Sequence, residues 1–281
     1  MSLTPRALIL SASGTLKDAG VPDPVYDASV LLSYLTGDSP LHLRLDTDTD
    51  LSDEIVSSYS SLIRERAQRI PLQWLTGTQS FCGRDFTVTP DVLIPRPETA
   101  LLVERVLSLG KDRPGFAVHD LCCGSGCIAI SCKLGLPKTL VSASDLSEAA
   151  LSVANKNAQR LNAEVCFLHG DLFEPLGNAK ADVIVSNPPY IPTGVCSSLQ
   201  DEVRKEPWMA LDGGQDGLDF YRRIIAEAGS HLKPGGALIL EIGIDEADVV
   251  TSLLLRNGFT GIAVENDLAG IPRMVEGHWH E

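Results

Sequence analysis

No apolar run in this 281-residue sequence approaches the roughly 18 residues that a membrane span needs. The opening stretch, Met1 to Leu10, is interrupted too soon by Thr4, Pro5 and Arg6 to read as a secretory signal, so the expected location is the cytoplasm. Cys-x-x-Cys pairs are absent although there are seven cysteines. With an odd count and no secretory signal, these read as reduced thiols used as small apolar residues, not as disulfides or a zinc site. His42, His119, His169, His231, His278 and His280 show no metal-ligand spacing, and no metal is expected. Basic residues are outnumbered, 23 Lys and Arg against 37 Asp and Glu, for a net charge of −14. Such a chain repels nucleic-acid phosphate at long range, so no nucleic-acid partner is expected. Internal repeats and low-complexity segments are missing too. Apolar residues make up 44% and charged ones 21%, which excludes disorder, collagen and coiled coil as the main state.

The first 80 residues carry helical patterns. Asp23-Pro24 predicts a helix over 24–36, with Ala28, Leu31, Leu32 and Leu35 on one face and Gly37 as its stop. Ser52 opens another helix, with Ile55, Tyr59, Leu62 and Ile63 on one face. Arg64, Arg66 and Arg69 lie near its end, where cations suit the helix dipole. The Asp-rich stretch 38–53 reads as a loop. Residues 81–95 hold two short β-like runs around Thr89-Pro90-Asp91 and predict a linking hairpin. Beyond it, strand patterns at 117–121, 140–144, 165–169, 183–186, 237–242, 261–265 and 273–279 alternate with helical ones, the clearest capped by Ser147. The expectation is an α/β fold. It has a seven-stranded, mostly parallel Rossmann-like sheet over 96–281, with one late strand free to run antiparallel. An all-helical domain over 1–80 precedes it, joined by the 81–95 hairpin.

Three strand ends carry candidate ligand groups. Cys122-Cys123-Gly124-Ser125-Gly126 sits between a strand and a helix, where small residues and free helix N–H groups suit a ligand. A tight turn with no ligand would look the same. Asp145 ends the next strand, placed to accept from ribose hydroxyls or simply to precede the Ser147 cap. Asp171 and Leu172 follow the third strand and offer an acid and an apolar wall for a base. The run Asn187-Pro188-Pro189-Tyr190 then leaves the fourth strand. Its prolines stiffen the backbone and remove two donors. Asn187 and the Pro188 carbonyl are acceptors able to hold a planar NH₂ group, and Tyr190 offers a flat face for stacking.

The glycine turn, the acid after the second strand and Asn-Pro-Pro-Tyr together resemble class I S-adenosylmethionine-dependent methyltransferases that modify planar nitrogen. Ile70 to Gly77, Leu93 to Thr99, Asn187 to Ile191 and Glu202 to Tyr221 narrow the match. The chain resembles the PrmC (HemK) family of glutamine methyltransferases acting on peptide chain release factors, over nearly its whole length. The resemblance implies transfer of a methyl group from S-adenosyl-L-methionine to the amide nitrogen N5 of the Gly-Gly-Gln glutamine in class 1 release factors, leaving S-adenosyl-L-homocysteine. It implies that Cys122, Cys123, Gly124, Ser125, Gly126, Asp145, Asp171, Leu172 and Asn187 hold the cofactor. Asn187, Pro188, Pro189 and Tyr190 would hold the substrate, with Asn187, Pro188 and Tyr190 catalytic. The N-terminal helices would contact the release factor, or only prop up the catalytic fold, and a monomer is expected. The alternatives are a ribosomal protein glutamine methyltransferase and a nucleic-acid adenine N6-methyltransferase. Two positions depart from the family pattern: Cys122, where a positive φ would be strained, and Ala100 in place of a Glu. Arg96 and Glu98 read equally as pocket residues or an ion pair. Gly213-Gly214-Gln215 repeats the substrate tripeptide by coincidence.

Overall fold

Pro5, Pro24 and Pro40 each stand at a first helical position, where the missing N–H costs nothing. In the computed structural model, which describes residues 4–280, they start α1 (Pro5–Asp18), α2 (Pro24–Thr36) and α3 (Pro40–Leu45). α4 (Asp53–Ala67) and α5 (Leu72–Thr76) follow. Side-chain caps fix the starts: Asp23 accepts from the Tyr26 N–H at 3.3 Å, Ser39 from His42 at 3.2 Å and Ser52 from Ile55 at 3.4 Å. α3 corrects the loop expected over 38–53. Its Ser39-Pro40 start is a cap followed by a first-turn proline, and Leu43 is buried in the helical core with Leu16, Leu31, Leu32 and Tyr59.

The helical unit takes in residues 200–205 as well as those up to 78. Two arginines explain why. The Arg66 Nε donates to Asp27 at 2.7 Å and its Nη2 to Glu202 at 2.6 Å, while Arg69 donates to both Glu202 oxygens. Arg66 lies in the last turn of α4, as expected of a cation that suits the dipole, and both side chains bind carboxylates as well. Burial opposes the Glu202 charge, but hydrogen bonds from Arg69 and Arg66 outweigh it and hold the pKa at about 2.

The second unit spans 79–199 and 206–280. Its chain begins in a hairpin, β1 (Thr78–Phe81) and β2 (Arg84–Thr87). The turn is Cys82-Gly83, both at positive φ, not the Thr89-Pro90-Asp91 break. A two-residue turn of that geometry matches the twist of paired strands, and Gly83 supplies its second position cheaply. Asn157 docks β2: it accepts from the Thr87 N–H at 2.8 Å and donates to the Thr87 and Ser125 carbonyls at 3.0 Å each.

The alternating elements follow: α6 (Ala100–Gly110), β3 (Ala117–Leu121), α7 (Cys127–Gly135), β4 (Leu140–Asp145), α8 (Glu148–Leu161), β5 (Cys166–His169), β6 (Ala181–Ser186) and α9 (Thr193–Cys196). Then come α10 (Asp219–His231), β7 (Leu232–Glu241), α11 (Ala247–Arg256), β8 (Thr260–Asn266) and β9 (Pro272–His278). Among the described residues the sheet has seven strands in the order β5-β4-β3-β6-β7-β9-β8. Only β9 runs against its neighbours β7 and β8, so the late antiparallel strand is the last one. Alternation along β6 sends Val183 and Val185 to a core with Val103, Val106 and Ile130, and Ile184 to the opposite core with Tyr221, Ile224 and Ile225. Both faces are therefore buried, at about 1.5–3 kcal/mol per large apolar side chain. Among the described residues no helix is long and apolar enough to cross a membrane.

Candidate active site

Strand order reverses between β3 and β6, and the carboxyl ends of the strands beside such a switch leave a crevice. A cavity of about 350 Å³ opens there. Cys122 and Gly124 line it from the end of β3, Asp145 and Leu146 from β4, Asp171 and Leu172 beyond β5, and Asn187 and Pro189 beyond β6. Loop residues Asp91 to Leu93 and Pro207 to Ala210 complete its wall.

The glycine turn is shaped by positive φ at Cys122 (58°), Gly124 (52°) and Gly126 (77°). At Cys122 that conformation costs about 1–3 kcal/mol. A Cβ on Gly126 would sit 3.1 Å from both Ala154 Cβ and Ile130 Cδ1, so glycine lets α7 and α8 approach. Asp145 is fixed from both sides: Oδ2 accepts from the Gly124 N–H and Oδ1 from the Ser147 N–H, each at 2.8 Å. One lone pair on each oxygen remains free, which suits two adjacent hydroxyls. Thus Asp145 both braces the turn and faces the cavity. Asp120, below the turn, is fully buried. Its Oδ2 accepts from the Ala129 N–H at 3.1 Å while Oδ1 has no partner. Burial, aided by the Asp145 charge, pushes its pKa up to about 8. Burial likewise raises Cys122, Cys123 and Cys127, which stay protonated.

At the other end, Asn187 Nδ2 donates to Thr99 Oγ1 at 3.2 Å, and Thr99 donates to Glu241 Oε2 at 2.6 Å. Tyr190 donates to the other Glu241 oxygen at 3.4 Å. Glu241 ends β7 beside β6, so one buried carboxyl anchors both ends of Asn-Pro-Pro-Tyr. Burial raises its pKa to about 7, against hydrogen bonds from Thr99 and Tyr190 that favour the charge.

A strap formed by 206–217 backs the motif. Glu206 accepts from the Ile94 N–H at 2.9 Å and from Arg96 at 2.5 Å, so Arg96 pairs with Glu206 and not with Glu98. Asp212 accepts from Thr193, Trp208 and the Gly214 N–H. Ile191 and Gly213 exchange hydrogen bonds with the strap and the motif: Ile191 N–H to Leu211 O at 3.0 Å, Gly213 N–H to Ile191 O at 2.8 Å. Gly213-Gly214-Gln215 is therefore a structural part of the wall.

The cavity thus gathers Cys122, Gly124, Asp145, Asp171, Leu172, Asn187 and Pro189. Cys123, Ser125, Gly126, Pro188 and Tyr190 lie outside its lining. Cys123 and Ser125 are buried beneath the turn, and the Tyr190 hydroxyl is drawn towards Glu241. Asp171 also pairs with Arg223 at 2.6 Å. Thr99, Glu241, Asp120, Trp208 and Met209 were not singled out by the sequence. Thr99, Trp208 and Met209 lie within segments that carry the family resemblance, whereas Asp120 and Glu241 carry no local signal of their own.

Glu241 yields a pH prediction. With a native pKa near 7 and an ordinary value near 4.5, the folded chain binds more protons than the unfolded one between those pH values. Stability from this group is present below that window and is lost as pH rises through it. Wild type should lose roughly 3 kcal/mol relative to Glu241→Gln between pH 5 and pH 8. Urea unfolding of both proteins at both pH values measures it; equal stability differences at the two pH values would refute it.

Two family models match the chain, the methyltransferase small domain over residues 97–200 and the PrmC N-terminal domain over residues 7–77. A methyltransferase structure from Pyrococcus furiosus shares the fold at a TM-score of 0.56 and 18% identity, covering 78% of this chain and 99% of its own. The unit that carries the cavity is a methyltransferase domain of the Rossmann-like type. Over the full length, the release factor glutamine methyltransferase of Geobacter sulfurreducens is 43% identical across 275 residues, 98% of this chain and 96% of that protein. Its counterpart in Moorella thermoacetica is 42% identical across 274 residues, 96% and 97% of the two chains. The chain belongs to the release factor glutamine methyltransferase family.

Proposed function

We propose that this enzyme methylates the amide nitrogen of the Gly-Gly-Gln glutamine in class 1 release factors, using S-adenosylmethionine. The observation that carries the reading is that Asn187 and Pro189 line the same cavity as Asp145, Cys122 and Gly124. A nitrogen-holding motif and a nucleoside-binding acid thereby share one small chamber. The donor set fits the cofactor: free lone pairs on Asp145 for ribose hydroxyls, Asp171 and Leu172 for the base, and the glycine turn for close approach.

Bound S-adenosylmethionine supplies an electrophilic methyl group on a sulfonium. The residues of this chain supply position. Asn187 Oδ1, at the cavity wall, accepts one amide N–H, and the carbonyl of Pro188, just outside the lining, would accept the other once the substrate loop is seated, directing the nitrogen lone pair. They also stabilise positive charge as it develops there. Alignment of this kind is worth several kcal/mol, up to about 7–11 in the best cases. Tyr190 acts by holding the motif on Glu241. The methylated amide is strongly acidic and loses its proton to water without a dedicated base. Trp208 and Met209, 53% and 47% exposed at the cavity wall, offer apolar surface to the incoming loop. The helical unit would contact the body of the release factor.

Transfer of labelled methyl tests this with four acceptors: an intact release factor, the same factor with its Gly-Gly-Gln glutamine replaced by alanine, ribosomal protein and duplex DNA. Label confined to the intact factor is expected. Label on ribosomal protein or DNA alone would overturn the substrate, and no label anywhere would overturn the activity.

A further inference from the structure

One side chain amide has two faces that differ only in which atom is nitrogen. Asn187 can hold a substrate N–H only if Oδ1, not Nδ2, points into the cavity. Something must therefore fix its orientation, and the backbone cannot. The partner of Nδ2 is Thr99 Oγ1 at 3.2 Å. A hydroxyl has a single proton, and that of Thr99 is committed to Glu241 Oε2 at 2.6 Å. Its remaining capacity is to accept, so it takes the Asn187 NH₂ and rejects the carbonyl. In the reversed orientation Oδ1 would meet an oxygen lone pair with no proton between them. Thr99 and Glu241 are both buried, 2% exposed each, so water cannot repair that mismatch. The Thr99 donation survives protonation of Glu241 on Oε1: that proton is given to the Tyr190 oxygen, which then accepts, and Oε2 still accepts from Thr99.

We propose that Thr99, seated on Glu241, is a positioning residue that fixes which way the Asn187 amide faces. This rests on the function proposed above, in which Asn187 Oδ1 accepts from the substrate glutamine. The three residues come from distant parts of the chain: Thr99 from the turn before α6, Asn187 from the end of β6 and Glu241 from the end of β7.

Three Thr99 variants separate orientation from mere packing. Thr99→Val keeps the shape and removes the hydroxyl, Thr99→Ser keeps the hydroxyl, and Thr99→Ala replaces Val should that variant not fold. With a release factor as acceptor, Thr99→Val should lower kcat about 30-fold or more, because a misdirected group loses its alignment. KM and S-adenosylmethionine affinity should change by no more than about twofold, since the group acts on alignment and not on uniform binding. Thr99→Ser should keep kcat within about threefold, as its hydroxyl can make the same two bonds. A second readout needs no turnover: solvent exchange of the Asn187 side-chain amide protons by NMR, assigned by their loss in Asn187→Asp. Exchange should be slow in wild type and Thr99→Ser and about tenfold faster or more in Thr99→Val, where the acceptor is gone. Wild-type kcat and slow exchange in Thr99→Val would overturn the proposal, as would equal impairment of the Ser and Val variants. Should wild type methylate no acceptor, the functional reading falls, and with it the role proposed for Thr99, while the exchange rates still report whether the contact exists.

Discussion

Asn187→Ala is expected to lower kcat for glutamine methylation by about 10²–10³-fold, the usual cost of removing one preorganised group that stabilises developing charge. Alanine removes the side-chain acceptor at the cavity wall and leaves the Pro188 carbonyl as the remaining one on this motif. The amide nitrogen is then held by one N–H and can rotate, so its lone pair samples unproductive directions. Folding should suffer little. Asn187 contributes one hydrogen bond, to Thr99 at 3.2 Å, worth about 1 kcal/mol. The combination distinguishes a working group from a structural one: kcat collapses while the thermal midpoint stays close to wild type. Single-turnover methyl transfer and thermal unfolding measure the two. A variant retaining more than about a tenth of wild-type kcat would show that this acceptor is dispensable, since an essential acceptor should cost at least tenfold.

Gly213→Ala should damage both stability and turnover, although Gly213 does not line the cavity. A Cβ there would stand 2.7 Å from Tyr190 Cα and 2.7 Å from the Gly217 carbonyl oxygen. These are backbone atoms and cannot swing aside. Either the strap or the Asn-Pro-Pro-Tyr backbone must move. Overpacking of this kind costs about 1–3 kcal/mol. A displacement near 1 Å at the motif would further cost about 10²-fold in kcat. Gly14→Ala is the contrast. Its added Cβ meets nothing within 4 Å, and it lies inside α1, so that change should stabilise by roughly 0.5–1 kcal/mol. Thermal unfolding and kcat for the two variants decide it. Wild-type values for Gly213→Ala would mean that the strap does not support the motif.

The extent to which such features can be read in advance differs between them. The helix over 24–36 and the Ser147 cap were legible because cap, apolar stripe and stop follow one another along a single short segment. The strands were legible because each is a short apolar run bounded by turn residues. The cavity residues Cys122, Gly124, Asp145, Asp171, Leu172, Asn187 and Pro189 were legible because a parallel sheet delivers successive strand ends to one edge. The strained backbone at Cys122 was foreseen only through the resemblance, as a departure from the family pattern at that position.

Other features have no local trace. The hairpin turn was sought at a proline, but Cys82-Gly83 makes it, because only the paired register of β1 and β2 selects between the two breaks. Arg66 and Arg69 looked like helix-end cations; their carboxylate partner at 202 is more than 130 residues away. Thr99 meets Glu241 across 142 positions and Asn187 across 88. Sequence alone determined the class of fold and the order in which its strand ends reach the cavity, since these depend on residue type and near neighbours. Tertiary structure decided which carboxyl is buried behind that motif, which way its amide is held and which glycines its backbone needs. Those depend on contacts between strand ends and loops that periodicity does not encode.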